Sequence, residues 1–249
     1  MENLILRKYG VQFKYYKNEI DFTQIHFEVE VTYQGQSQFG NFHFLINRKT
    51  VYINESAPEL IIEQLAEKAG LCLYPMEIIT TAEGPFKEIT NYREIKKRWD
   101  TKKIELQSYY EGEIADKIIS TLDVVYSSKS KIETAMNDDL FLTFYFMPIY
   151  RKHENRIAKY KKAIAFRPFK QPLYYNIIQE VDEFLSESKK QVIKIEGFSE
   201  KSTGSEPDLE LEYKINNETK SIFSIVGSAN LKKENEKTPK IEIEMYQLN

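Results

Sequence analysis

Histidine and carboxylate side chains offer the first candidate chemistry in this 249-residue chain, which holds only three histidines. Two stand in the stretch IHFEVEVTYQGQSQFGNFHF, residues 25–44, where His26, Glu28, Glu30 and His43 are set among alternating apolar residues. A His–carboxylate pair on a rigid sheet can hold a metal or act as acid and base. Taking Gly35-Gln36 as a two-residue turn, with glycine first as a type II′ turn prefers, predicts a hairpin register. Phe27 then faces Phe44, Val29 faces Phe42, Ile25 faces Ile46, and Glu28 faces His43. One face is apolar and the other carries His26, Glu28, Glu30, Asn41 and His43. The plainer account is a solvated sheet face, where an opposite-sign cross-strand pair contributes only about 0.2–1 kcal/mol. A metal site wants three or four convergent ligands, and the third histidine, His153, is far along the chain. His26, Glu28 and His43 are thus the metal candidates, and no metal or other cofactor is expected.

The second candidate is the basic run RKHENRIAKYKKAIAFRPFK, residues 151–170. Arg151, Lys152, Arg156, Lys159, Lys161, Lys162, Arg167 and Lys170 are opposed by Glu154 alone, and Tyr160, Phe166 and Phe169 interleave with them. Cations with stacking rings can hold single-stranded nucleic acid, anionic headgroups or an acidic protein. Alternatively, this is a solvated helix end whose lysine stems cover apolar surface. A net charge of −3 argues against polyanion binding by the molecule as a whole, so an acidic protein is the partner the run suits best and nucleic acid is disfavoured.

The third is LFLTFYFMPIY, residues 140–150, apolar on every side. It reads either as a helix buried all round or as the lining of an apolar pocket formed with Phe141, Phe144, Tyr145 and Trp99.

Enzyme signatures are missing. There is no GxGxxG, P-loop or GxSxG motif. Cys72, the one cysteine, sits in GLCLYP, where apolar neighbours favour a buried, inert thiol. No disulfide and no cysteine-based zinc site can form within the chain.

The elements that must position these residues follow from period. Residues 1–54 alternate as strands, as in Val11, Phe13 and Tyr15. SAPELIIEQLAEKAG, 56–70, predicts a helix opened by a Ser56/Glu59 capping box and closed at Gly70, with Ile62, Leu65, Ala66 and Ala69 on its apolar face. Residues 73–90 predict two short strands around an Ala-Glu-Gly-Pro turn. Asn91 and Glu94 open a helix with the stripe Tyr92, Ile95, Trp99, Leu106 and Tyr110. Gly112 breaks it, and Ile114, Ile118, Leu122 and Val125 continue with helical spacing. Ser130 and Glu133 cap a further helix running through Met136, Leu140 and Phe144. Beyond about residue 163 the period returns to two in PLYYNIIQEV, QVIKIEGF, DLELEYKI, SIFSIV and KIEIEMYQL, the first of which would also suit a helix. Polar loops are expected at 199–208 and 230–239.

The expected fold class is α+β, with antiparallel sheet at the N- and C-terminal parts packed against a central helical segment. One intertwined domain over 1–249 is expected, the alternative being 1–150 with N-terminal sheet and helices and 151–249 as a β-rich domain. MENLILRKYG has only a three-residue apolar run where a secretory signal needs about 7–15, and 140–150 is well short of the ~20 residues that span a bilayer. A soluble, cytoplasmic chain is expected. The reading these features favour is a non-enzymatic interaction or adaptor protein, an assembly component or immunity-type partner, that binds another protein through the basic surface. The alternative is a carrier of an apolar small molecule between sheet and central helices.

Overall fold

Alternation of apolar and polar residues persists along strand after strand, and the strands it builds join into one large sheet. The computed structural model describes residues 4–18, 20–166, 171–200, 206–231 and 240–248. The N-terminal half supplies β1 (Ile5–Tyr16), β2 (Phe22–Gln36), β3 (Phe42–Arg48), β4 (Tyr52–Ile53), α1 (Ile61–Leu71), β5 (Met76–Thr80) and β6 (Phe86–Ile89). Four helices follow: α2 (Tyr92–Tyr109), α3 (Glu113–Tyr126), α4 (Lys129–Met136) and α5 (Leu140–Tyr145). The chain then returns to strands as β7 (Ile157–Ile164), β8 (Leu173–Val181), β9 (Lys190–Ser199), β10 (Leu209–Asn216), β11 (Ile222–Asn230) and β12 (Lys240–Leu248). The strand order is β6-β5-β3-β2-β1-β12-β11-β10-β9-β8-β7, with β4 beside β2. The first and last strands are neighbours, Val11 standing opposite Met245 and Phe13 opposite Ile243. At the level of class the expectation of antiparallel sheet with helices stands. The helices are central only in part, because α5 alone lies inside the sheet.

Simple lengths show that the sheet curls. β3 and β10 stand five pairings apart in the order, roughly 24 Å in a flat sheet. The six residues of α5 span only about 9 Å. Yet Phe146, just after α5, meets the Phe44 ring of β3 at 5.4 Å, and the Phe144 carbonyl accepts the Tyr213 hydroxyl of β10 at 2.8 Å. Phe144 also packs on Phe166, just past β7. The all-round apolar character of 140–150 is thereby explained: α5 is the plug around which the strands wrap. Asp139 starts it, its carboxylate accepting the Leu142 N–H at 2.9 Å.

The other helices form a layer beside the β5–β6 edge. Trp99 stacks on Tyr126 at 4.6 Å, and the Tyr126 hydroxyl donates to the Ala69 carbonyl at 2.6 Å. Arg98 donates to the carbonyls of Cys72, Leu73 and Pro75. The exposed side of β6 is partly covered by α4, where Glu133 accepts the Ile89 N–H at 2.9 Å.

Several expectations are corrected. The β2–β3 register places Val29 opposite Arg48, Val31 opposite Ile46 and Tyr33 opposite Phe44, with an irregularity before Gly35. The reversal is made by Ser37–Gly40, where the Ser37 N–H donates to the Asn41 carbonyl at 2.8 Å. Helix α1 begins at Ile61 because Glu63 accepts the Leu60 N–H, while Ser56 bridges to Ile53; it runs past Gly70 to Leu71. Leu65 and Ala69 are buried but Ile62 is exposed. In α3 the inward residues are Ala115, Ile119 and Tyr126, and Ile114 faces solvent. The helix expected from Ser130 through Phe144 is two, and its cap is Ser128. The ambiguous 172–181 stretch is a strand. The loop stretches 199–208 and 230–239 lie partly outside the described residues.

Candidate functional site

The strand ends that surround the C-terminal side of α5 leave a cavity of about 420 Å³. β1 contributes Ile5 and Arg7, β2 Val31 and Tyr33, and β3 Phe42 and Phe44. The floor is Tyr145 and Phe146, and the far walls are Thr80, Ala82 and Gly84 on one side and the β10–β11 turn with Ile222 on the other. Each strand delivers its residue by the same alternation that builds the core. Arg7 is in phase with Tyr9, Val11 and Phe13, which are buried inward, and Val31 and Tyr33 continue the inward phase of Val29.

The segment after α5 closes one side. The Tyr150 N–H donates to the Glu83 carbonyl at 3.2 Å, and Arg151 pairs with the Glu83 carboxylate at 3.1 Å. Gly84, at φ +120°, is needed here, since a Cβ would lie 2.4 Å from the Met147 carbonyl oxygen. The Tyr150 hydroxyl reaches across to donate to the Lys220 carbonyl at 2.6 Å. This segment therefore ties the β5–β6 turn to the β10–β11 turn.

The polar groups of the pocket are few. The Tyr145 hydroxyl is committed to Tyr9 at 3.1 Å and the Tyr9 hydroxyl to the Ile222 carbonyl at 2.8 Å. Burial pushes the hydroxyls of Tyr9, Tyr145 and Tyr150 up from the ordinary phenol value, and the positive charge of Arg7 pulls all three the other way. They are neutral donors at physiological pH. The Thr80 hydroxyl is buried without a hydrogen-bond partner. Among the described residues, no carboxylate lies within ion-pair distance of the half-buried Arg7. The arrangement can hold an apolar body and present a guanidinium to it.

Of the pocket residues expected from sequence, Tyr145 alone lines this cavity. Phe141 packs on Phe27 at 6.3 Å and Phe144 is fully buried against Phe166, so both are core wall. Trp99 is buried in the helical layer. Arg7, Thr80, Phe42 and Phe44 were not anticipated. Arg7 had a readable signal, a cation in the apolar phase of β1; the others converge only through the curl.

The metal candidates are not brought together. Glu28 stands opposite Gly10, whereas His43 stands opposite Gly35 and Ile79. His26 stacks on Tyr52 with ring centres 5.1 Å apart. No group of three or more metal-ligating side chains occurs among the described residues. His153 is instead 2.8 Å from the buried Gln179 amide, which also donates to the Ile149 carbonyl and accepts from Tyr160.

The basic run is largely strand rather than helix end. Lys159 and Lys161 point outward from β7, while Lys162 lies half-buried on the inward phase beside Tyr175, and burial holds its ammonium below the usual lysine range. Arg151 lies over the Tyr160 ring at 4.3 Å. Arg156 pairs with Glu183 at 3.0 Å and Lys161 with Glu200 at 3.2 Å. Lys152 is exposed. Arg167 and Lys170 lie outside the described residues. Among the described residues, no helix is long and apolar enough to cross a membrane.

No family model matches the sequence, and no curated protein does. Among solved structures the chain is similar to one reported under lipid–protein interactions in lipovitellin, with a TM-score of 0.47 and 8% identity over 98% of this chain and 25% of that one. This chain thus spans about a quarter of the lipovitellin chain. A β-barrel-like protein of a domain of unknown function from Brucella abortus matches with a TM-score of 0.27 and 7% identity, over 99% of this chain and 98% of that one.

Proposed function

We propose that this chain is a binding protein for an apolar small molecule, held in the pocket at the C-terminal side of α5. The observation that carries this reading is the cavity itself. About 420 Å³ stays open beside a core in which Tyr9, Phe144 and Tyr213 are fully buried. That volume is within the roughly 300–1,000 Å³ typical of small-molecule sites, and its lining of aromatic and aliphatic side chains with few polar groups is of the usual kind. Apolar surface left facing water costs about 25 cal/mol per Å², which a ligand's own apolar surface recovers. The basic run supports the adaptor reading less well, because strand alternation and the Glu83 and Glu183 pairs divide its described cations.

The test uses Nile red, a neutral apolar dye. The protein should enhance its emission saturably, and Ala82→Trp, which sets a large side chain at the wall of the cavity, should weaken the enhancement while circular dichroism is unchanged. Native mass spectrometry of freshly purified protein should show an added organic mass. A clean apo mass together with no saturable dye binding would sink the proposal.

A further inference from the structure

We infer that the pocket selects a single-chain amphiphile with an anionic, oxygen-bearing head, bound by Arg7. This rests on the ligand-pocket reading above and adds the chemical class. Two observations converge on it. The described lining contains two cations, Arg7 and Lys220, and no carboxylate. Arg7 is half-buried on the inward phase of β1, and no described carboxylate is within ion-pair reach. A guanidinium withdrawn from water without a partner is costly, and its planar fork matches the two oxygens of a carboxylate or phosphate.

The rest of the cavity suits the tail. Val31, Phe42, Phe44, Phe146 and Ile222 supply hydrocarbon and aromatic walls. At about 420 Å³ the space is at the small end for such sites, which favours one chain over two. Tyr145 and Tyr150 have already given their hydroxyl protons to Tyr9 and to the Lys220 carbonyl, and Arg7 is the inward-phase cation that meets the head. Lys220 sits exposed at the rim, where it raises the local concentration of anions without fixing their orientation.

Three ligands of equal chain length separate the contributions: palmitate, hexadecyl phosphate and neutral hexadecanol, each displacing Nile red below its critical micelle concentration. A hydrogen bond to a charged group predicts that an anionic ligand binds about ten- to a hundredfold tighter than the alcohol. Arg7→Gln should bring that ratio close to one. Arg7→Lys should restore part of the preference, because it keeps the charge but loses the fork. Whichever of palmitate and hexadecyl phosphate binds tighter identifies the head. Equal affinity for acid and alcohol in the wild type, or a preference that survives Arg7→Gln, overturns the inference while dye binding leaves the pocket reading intact. Absence of dye binding removes both.

Discussion

The Tyr145 hydroxyl of α5 donates to the Tyr9 hydroxyl of β1 at 3.1 Å, with the two rings edge-on and 5.1 Å apart. Tyr9 passes the bond on to the Ile222 carbonyl at 2.8 Å, so helix, β1 and the start of β11 share one buried chain of donors. The two ends of the chain predict different costs. Tyr145→Phe removes one donor and leaves Tyr9 bonded to Ile222, a loss of about 0.5–1.5 kcal/mol. Tyr9→Phe strands both a hydroxyl and a carbonyl and should cost about 1–3 kcal/mol. Urea unfolding of the two variants checks the order; equal losses would contradict the direction of the chain.

Arg48 and Glu67 join the end of β3 to α1. Their side chains are 15% and 10% exposed and meet at 3.4 Å, and the guanidinium lies over the rings of Phe27 and Tyr74. Glu67 also accepts the Val51 N–H at 3.0 Å. Burial pushes the Glu67 carboxyl up, and the Val51 bond and Arg48 pull it back. Burial of its carboxyl pushes half-buried Asp139 up in the same way, and it feels the same guanidinium. Arg48→Ala should therefore cost about 3–5 kcal/mol, the range for breaking a buried pair. Arg48→Lys should recover only part of it, since an ammonium cannot lie flat on two rings. Chemical denaturation measures both, and full recovery by lysine would show that charge alone matters.

How much of this could be read in advance depended on whether the signal was local. The strands and their inward phases were visible because Val11, Phe13, Phe27 and Val29 alternate within a few residues. The register of β2 on β3 was not. Gly35 and Gly40 both take positive φ, at 129° and 78°, so either could have made the reversal. Moving the partner of Val29 from Phe42 to Arg48 is an even-numbered slip, which keeps the same residues inward, so the hydrophobic pattern is blind to it. The apolar run 140–150 was legible as buried, but not as the plug of a curled sheet. The pocket escaped because Arg7, Thr80 and Ile222 are distant in sequence, and their convergence is a product of the curl.

Trp99 provides an internal probe of the helical layer, being the only tryptophan. Its indole N–H donates to Asp123 at 2.8 Å, and Lys103 reaches the other carboxylate oxygen at 2.7 Å. The Lys103 bond, then the indole bond, holds the Asp123 carboxyl below its ordinary value of 3.8. A depressed carboxylate contributes stability that is fully present above the unfolded value and is lost as pH falls through the folded one. Unfolding monitored by Trp99 emission should therefore show a steeper loss below about pH 4 in the wild type than in Asp123→Asn. Parallel acid profiles for the two proteins would contradict the assignment.

The lysines of β7 carry the last prediction. β7 ends the strand order, and such an edge offers unpaired backbone groups to any passing strand. Lys159 and Lys161 project outward along it and Lys162 is turned inward without a carboxylate partner among the described residues. Outward lysines and inward charges are the two devices that discourage a second chain from adding on. Lys159→Thr with Lys161→Thr should leave thermal stability nearly unchanged, because both positions are exposed and exposed ion pairs such as Lys161–Glu200 contribute little. Light scattering of a concentrated sample should nonetheless rise, since threonine removes the charge and favours the strand. Lys162→Val should raise thermal stability by removing a half-buried charge from the inward face, while further opening the edge to association. If the three substitutions leave scattering at the wild-type level, the lysines do not guard this edge. Their retention would then have to be argued from a bound partner, for which salt-sensitive association lost on Lys159→Glu and Lys161→Glu is the corresponding measurement.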